Sequence, residues 1–523
     1  MSKIAKTTFC LMLATVIGKI LGFGREVVLA STYGISMYSD AYLTAMNIPL
    51  VIFASIGSAL ATTFIPMFYE IKENNGEKEA LKFTSNIINI VIILSLILLF
   101  IGLIFTDSLV KVFAIGFKEE SFKIAVSFTR IMMIGIVFTG ISFIMTSYLQ
   151  IKNNFIIPGI ISVPKNVIII MGILLSIKYG PYTMVWGTVI AMFSEFIFQL
   201  PFAIKSGFRY SLYVDLKDES IKKVMYLIGP VLIGVGANQI NAMIDRTLAS
   251  TLVEGSISAL NYASKLNSFV MALFIVSIST VVYPMLSKLS AEENKDKFIQ
   301  SVITSVNSVI LLVMPIATGA IVLAVPIVKV LFERGEFDHA ATGMTAVALA
   351  MYSIGMVSFG LTDILGKVFY SLKETKTPMI NSCISMGLNI IFNIILIKKM
   401  QHAGLALGTS LATTISIFLL FRSLKNKIGY FGQDKIIKTT IKSMISAIIM
   451  GVITNTAYNK LPIIIPGDGF INEFVILVVS IIIGAISYFG LIILLRVDEA
   501  NIIINTFKKV CKNFYSKINV KQA

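Results

Sequence analysis

Long apolar stretches separated by short polar connectors follow one another along almost the whole chain. A helix that crosses a membrane needs roughly 20 mostly apolar residues, and about fourteen stretches meet this length. They lie at residues 7–31, 36–69, 84–107, 123–149, 155–178, 181–204, 221–250, 257–287, 299–330, 340–370, 378–399, 403–424, 437–459 and 472–496. Runs this long exclude barrel strands, and only helices or closed barrels satisfy backbone groups in lipid. The pattern predicts an all-α polytopic membrane protein with about 14 transmembrane helices.

Composition and charge agree with this prediction. Of the 523 residues, 56% are apolar and 14% are charged, whereas a soluble protein carries about 25% charged residues. The net charge of +16 would suggest a polyanion partner in a soluble protein, but here it is read against a bilayer. Lys and Arg are about three times as frequent in the termini and even-numbered connectors as in the other connectors. We therefore expect a plasma-membrane protein with both termini cytoplasmic, membrane lipids as neighbours and no nucleic-acid partner.

Cysteine and histidine are too rare for most catalytic or metal chemistry. The chain has three Cys at unrelated spacings and two His that lie far apart in sequence. No disulfide framework or CxxC metal clip can be drawn from them. The sequence therefore predicts that the protein is not an enzyme and requires no cofactor.

An internal repeat recurs at a spacing of about 220 residues. Four pairs of fragments carry it in the same order: Leu29–Thr32 and Leu248–Thr251, Ile65–Met67 and Tyr283–Met285, Tyr148–Lys152 and Tyr370–Lys373, and Trp186–Thr188 and Leu407–Thr409. Six helices form an even-numbered repeat, so the copies should share one topology around a central cavity. We predict an N-lobe at 1–217, a C-lobe at 218–430 and two extra helices at 431–496. Such duplication is typical of alternating-access transporters.

The first two apolar segments contain charges. Segment 7–31 carries Lys19, Arg25 and Glu26, and Asp40 opens segment 36–69. Charges inside a membrane are costly and usually face a partner or a cavity. One interpretation is two internal ion pairs, Lys19–Glu26 and Arg25–Asp40. The other is a cationic patch that faces a cavity and receives an anionic substrate.

Segment 257–287 contains Lys265, with no acidic residue within one turn. An anionic ligand explains such a lysine better than packing does, although packing stays open. Lysine would act on a phosphate as a point charge, whereas arginine offers a two-pronged fork.

Polar stripes follow segments 221–250 and 378–399. Asp245 lies on the first, Asn389 and Asn393 lie on the second, and Thr409 follows in the next segment. A carboxylate, two carboxamides and a hydroxyl are hard oxygen ligands that suit a sodium ion or a proton relay. The alternative is hydrogen bonding that only holds helices together. The stretch 497–523 mixes apolar residues with Lys and reads as an amphipathic helix on the inner leaflet or as a frayed basic tail.

Several motifs resemble those of a known family, the lipid II flippases (MurJ/MviN) of the MOP exporter superfamily. They are Gly18–Glu26, Ser39–Tyr42, Leu331–Phe337 with the sequence LFERGEF, Tyr370–Pro378 and Gly404–Ser410. The resemblance runs from about residue 4 to the last apolar segment. It implies that Arg25 is the family's cavity arginine and that Asp40 is an acidic cavity position. Glu26 stands where the family usually has Asp, and Lys19 and Lys265 stand where many members have Arg.

The resemblance implies transport of the undecaprenyl-pyrophosphate-linked disaccharide-pentapeptide from the inner to the outer leaflet. It implies substrate binding by Lys19, Arg25, Glu26, Asp40 and Lys265 in a cavity between the lobes, and a lipid-tail groove at 431–496. It also implies a sodium site at Asp245, Asn389, Asn393 and Thr409. We expect a monomer that contacts the cell-wall synthesis machinery. The rival functions are export of another lipid-linked glycan, drug/cation antiport, and a scaffold on a transporter-derived fold.

Overall fold

The fold is helical throughout the part of the chain that the structure describes. A computed structural model gives residues 3–292, 294–467 and 469–497, and it shows helices and no strand in these ranges. The helices are α1 (Lys3–Tyr33), α2 (Met37–Asn75), α3 (Glu77–Ile104), α4 (Thr106–Phe113), α5 (Glu119–Met132), α6 (Gly135–Ile151), α7 (Ile156–Ile160), α8 (Ser162–Tyr179), α9 (Tyr182–Lys205), α10 (Glu219–Ser250), α11 (Ser256–Ala291), α12 (Lys295–Val322), α13 (Ala324–Phe332), α14 (His339–Ile354), α15 (Met356–Ser371), α16 (Lys376–Ile428), α17 (Gln433–Ile464) and α18 (Phe470–Leu494).

The predicted all-α membrane fold is confirmed. Each of the predicted apolar segments coincides with one or two of these helices. Among the described residues, eight helices are long and apolar enough to cross a membrane, or up to ten spans if each of two bent pairs is one span. Since α16 counts once although it covers two predicted segments, the number fourteen stays a prediction. The predicted amphipathic tail lies outside the described residues, apart from Val497.

Several predicted segments are broken inside the structure. The pairs α5–α6 and α14–α15 bend by 44° and 45°. In α16, Gln401 has φ 49° and ψ −130°, so two helices meet there at a kink, which falls in the connector predicted between segments 378–399 and 403–424. Gly404 follows the kink, and a Cβ at this position would lie 2.7 Å from the carbonyl oxygen of Leu396. The absence of a side chain at Gly404 therefore lets the two arms of α16 pack closely.

The described residues form two compact units. One unit contains Met1–Tyr262 and Phe332–Ala341. Inside it, α2 packs against α5, α6 and α10, and α8 packs against α1 and α9. Its buried core includes the ring of Phe68, which meets Tyr148 edge-on at a centroid distance of 6.0 Å. Burial of such large apolar rings is the main favourable term in this packing.

The other unit contains Ala263–Leu331 and Thr342–Ala523. In this unit α12 packs against α15 and α17, and α17 packs against α18. Tyr488 of α18 is buried, and its hydroxyl donates to the carbonyl of Leu311 at 3.0 Å and contacts the hydroxyl of Ser443 at 2.7 Å. These bonds satisfy a buried polar group, which would otherwise cost free energy in a helix interface. The predicted lobe boundaries stay predictions.

The connection between α9 and α10 runs along α3, and polar side chains of α3 hold it there. Asn86 accepts from the backbone N–H of Asp215 at 2.9 Å and donates to its carbonyl at 2.9 Å. Asn89 donates to the carbonyls of Ser211 and Tyr213 at 3.1 and 3.0 Å. We call residues 207–218 the linker strap, because carboxamides fix its main chain as a sheet neighbour would.

Candidate substrate and ion sites

Arg25 lies on α1 and is held by two partners. Its Nη2 atom is 2.6 Å from Oε1 of Glu26, and its Nη1 atom donates to Oδ1 of Asn166 on α8 at 3.3 Å. The Arg25 side chain is 16% exposed and that of Glu26 is 2% exposed. An arginine kept in one orientation on a helix presents its remaining donors in a fixed fork. That fork suits a phosphate or pyrophosphate group.

Glu26 couples this arginine to a third helix. Its Oε2 atom accepts from Nδ2 of Asn261 on α11 at 3.0 Å, while Oε1 binds Arg25. The sequence offered the pairs Lys19–Glu26 and Arg25–Asp40, and the structure instead joins Arg25 to its neighbour Glu26. Lys19 is exposed on α1, two turns before Glu26. The part of each residue in substrate binding stays a prediction.

Asp40 lies at the start of α2 and accepts hydrogen bonds from the start of α11. Its Oδ2 atom accepts from the N–H of Gly255 at 2.8 Å, and Oδ1 accepts from the N–H of Ser258 at 2.8 Å and from its hydroxyl at 2.5 Å. The side chain is buried, with 4% exposure. The first N–H groups of a helix lack partners within the helix, so Asp40 satisfies them from a neighbouring element. Its predicted contact with substrate stays untested.

The LFERGEF motif packs against the end of α1 through main-chain atoms. The N–H of Glu336 donates to the carbonyl of Ser31 at 2.9 Å. Gly34 and Gly335 have φ values of 57° and 61°, and a Cβ at either would lie 2.3 or 2.2 Å from a carbonyl oxygen of the other segment. Both positions therefore require glycine for a positive φ and for close approach. Three buried rings surround the contact: Tyr262, Phe332 and Phe337.

Lys265 and Asp245 lie on different units. Lys265 is exposed on α11 within the unit that begins at Ala263, and Asp245 is half-buried on α10 within the other unit. Each has a further interaction in the structure. Their predicted roles, in binding pyrophosphate and sodium, stay predictions.

Three of the four predicted sodium ligands come together where the arms of α16 pack. Nδ2 of Asn389 donates to Oγ1 of Thr409 at 3.0 Å, and Nδ2 of Asn393 donates to Oδ1 of Asn389 at 3.0 Å. Gly408 makes the approach possible, because a Cβ there would lie 2.3 Å from Oδ1 of Asn393. This trio supplies carboxamide and hydroxyl oxygens of the kind that bind hard cations.

The sequence interpretation assigned no role to Lys165, which lies inside a predicted span. Lys165 on α8 lies 3.1 Å from Oε1 of Glu195 on α9, and the two side chains are 30% and 13% exposed. The neighbouring residue, Asn166, is the partner of Arg25. A count of every basic residue inside a predicted span would have found Lys165, because it lies in the middle of segment 155–178.

Comparison with known proteins decides the family. The family model described as "Lipid II flippase MurJ" matches residues 29–479. The chain belongs to the MurJ family of lipid II flippases. Two relatives in Buchnera aphidicola, each named "Probable lipid II flippase MurJ", are similar over most of their length. The one from subspecies Baizongia pistaciae is 30% identical over 86% of this chain and 88% of its own. The one from subspecies Acyrthosiphon pisum is 29% identical over 95% of this chain and 98% of its own.

Solved structures agree with membership of the MurJ family. A structure of "Lipid II flippase MurJ, inward closed conformation" superposes with a TM-score of 0.78 at 28% identity, over 92% of this chain and 97% of that one. An inward-facing MATE multidrug transporter of the MOP superfamily gives a TM-score of 0.65 at 13% identity, over 81% and 99%. The second likeness shows the fold alone. The MurJ family consists of polytopic membrane transporters, and its members are not classed as enzymes.

Proposed function

We propose that this chain translocates lipid II from the inner to the outer leaflet by alternating access. Its membership of the MurJ family supports the substrate, and the two-unit helical fold supports the mode of transport. The observation that carries the proposal is the guanidinium of Arg25, which Glu26 and Asn166 hold in one orientation on α1, within the predicted apolar segment 7–31. Such a fixed guanidinium can bind a substrate that carries phosphate groups.

The site that we propose for the pyrophosphate consists of Lys19, Arg25 and Lys265. Arg25 would bind two phosphate oxygens at once, and the two lysines would add point charges. Glu26 keeps the arginine oriented, and Asp40 keeps the start of α11 in place. Both carboxylates therefore act indirectly: Glu26 orients Arg25, and Asp40 positions α11.

The substrate in this proposal is the undecaprenyl-pyrophosphate-linked disaccharide-pentapeptide. The protein acts as a monomer in the bacterial inner membrane, and both of its termini are cytoplasmic. The protein also contacts the cell-wall synthesis machinery. The N-lobe (1–217) and C-lobe (218–430) alternate in exposing the substrate site, and residues 431–496 form a groove for the lipid tail. The tail 497–523 lies on the inner leaflet.

Energy for the cycle comes from the membrane potential or from a cation. Moving one charge through 100 mV supplies about 2.3 kcal/mol, which is enough to bias a two-state cycle. We propose sodium at Asp245, Asn389, Asn393 and Thr409; the closeness of the three oxygen-bearing side chains on α16 supports this assignment. Substitution of Thr409 by valine should abolish sodium-dependent thermal stabilisation of the purified protein. If sodium still stabilises this variant, the cation does not bind there.

The decisive experiment replaces the cell's own flippase with variants of this chain. Arg25→Ala and Lys265→Ala should fail to support growth at normal expression, and lipid II should stay inaccessible at the outer leaflet. Arg130→Ala is the matched control, because Arg130 forms an exposed pair with Asp107. Normal growth of both test variants would refute the pyrophosphate site. Export of a cationic drug by the wild type, without outward lipid II, would favour antiport.

A further inference from the structure

A cluster of polar and aromatic side chains lies between α11 and α15, and none of its members is among the groups assigned to pyrophosphate or sodium. We name it the Asp363 patch, and it consists of Ser279, Tyr283, Asp363, Lys367 and Tyr370. The hydroxyl of Ser279 donates to Oδ2 of Asp363. The ammonium of Lys367 lies 5.9 Å from the ring centroid of Tyr283 and 6.0 Å from that of Tyr370. Spacings of three or four residues place these groups on one face of each helix.

The patch lies on the surface of its helices although it belongs to apolar segments. Tyr283 is 40% exposed and Tyr370 is 42% exposed, and Asp363 is exposed as well. Neither Asp363 nor Lys367 forms an ion pair with another described residue. Charges inside a spanning helix face a water-filled space or a ligand rather than lipid. The patch therefore has the properties of a recognition surface.

The internal repeat supplies a control within the same molecule. Aligning Pro66 with Pro284 and Tyr148 with Tyr370 gives the positions in the first copy that correspond to four members of the patch. They are Ala61, Ile65, Ile141 and Met145, which are all apolar. Ile141 and Met145 are 8% and 2% exposed. Packing of a six-helix copy therefore does not need these polar groups, so packing alone does not explain them in the second copy.

We propose that the Asp363 patch binds the glycan–peptide head of the lipid-linked substrate. The exposed faces of the two tyrosines pack on sugar rings, and the free carboxylate oxygen of Asp363 accepts from sugar hydroxyls. Lys367 binds a carboxylate of the peptide through a charge-assisted hydrogen bond. This inference rests on the proposed function, and it separates recognition of the head from binding of the pyrophosphate at Arg25.

The test compares two lipids that share the pyrophosphate but differ in the head. Lipid II and undecaprenyl pyrophosphate are titrated against the full-length protein in detergent, by competition with a fluorescent lipid II. Asp363→Asn and Lys367→Gln should each weaken lipid II binding about fivefold to tenfold, which corresponds to about 1–1.4 kcal/mol. Binding of undecaprenyl pyrophosphate should stay within about twofold of the wild-type value. Arg25→Ala should weaken binding of both lipids.

Control variants and outcomes separate the alternatives. Glu119→Gln removes an exposed charge that pairs only along its own helix, and it should change neither affinity. If Asp363→Asn fails to fold, Tyr370→Ala on the exposed edge of the patch gives the same comparison. Equal weakening of both lipids, or unchanged lipid II binding, overturns the patch assignment. If Lys367→Gln also loses binding to phosphatidylglycerol vesicles, Lys367 binds ordinary phospholipid and the patch assignment is overturned. If the wild type does not prefer either undecaprenyl lipid to phosphatidylglycerol, the proposed function itself fails.

Discussion

Removal of one side chain should release the linker strap from α3. Asn86 is buried and makes two hydrogen bonds of 2.9 Å with the main chain of Asp215. Each such bond contributes about 0.5–1.5 kcal/mol net, so Asn86→Ala should destabilise the bound strap by about 2 kcal/mol. A change of 1.4 kcal/mol corresponds to a factor of ten, and the strap should therefore open roughly 30-fold more often.

Hydrogen exchange measures this opening directly, because the N–H of Asp215 donates to the side chain that is removed. Amides in residues 209–217 should exchange roughly 30-fold faster in Asn86→Ala, whereas amides in α8 and α9 keep their protection. Ile97→Ala is the control: this residue lies on the same helix and is 50% exposed. Unchanged exchange in the strap would refute the hydrogen-bond account, and equally faster exchange throughout α8 and α9 would show global destabilisation instead.

Three further predictions concern stability. Gly335→Ala should lower the melting temperature strongly, because its Cβ would meet the Ser31 carbonyl at 2.2 Å and its φ is positive; Gly343→Ala, with open space around it, should not. Asp40→Asn should destabilise by about 1–3 kcal/mol, because an amide cannot accept at both ends of the side chain, whereas Asp107→Asn in an exposed pair should cost less than about 1 kcal/mol. A hydrogen bond from the Lys427 side chain lowers the pKa of Glu374 in the folded protein. The ionised carboxylate therefore stabilises the fold above the pKa of the unfolded chain, and this stabilisation is lost as the pH falls through the folded pKa. The melting temperatures of the wild type and of Glu374→Gln should accordingly converge at low pH.

Hydropathy predicted the helical architecture because membrane spans follow a local rule. Length and apolar content alone decide whether a stretch can cross a bilayer, and the predicted segments coincide with helices. The breaks inside them were not predicted. The bends between α5 and α6 and between α14 and α15, for example, lie inside the predicted segments 123–149 and 340–370. The kink at Gln401, by contrast, falls in the connector predicted between segments 378–399 and 403–424.

Partners of the charged groups were harder to predict, because they depend on contacts between distant parts of the chain. The sequence singled out Arg25, yet its partner Asn166 lies 141 residues away. The role of Asp40 depends on the start of a helix 215 residues later. Asn86 and Asn89 gave no signal at all, since their bonds go to main-chain atoms of the strap. Three of the predicted sodium ligands were placed together, because a polar stripe on one arm of α16 faces the other arm.

The contact between the LFERGEF turn and α1 bears on how far a motif can be trusted as a guide to cargo. Its glycine is needed for space and backbone angle, its two phenylalanines fill an aromatic core, and its hydrogen bond to Ser31 comes from the main chain. These requirements concern shape and say nothing about a transported molecule. A genome search with this motif would find chains in which the same turn packs against the first helix. The molecule that each chain transports would have to be inferred from charged residues such as Arg25.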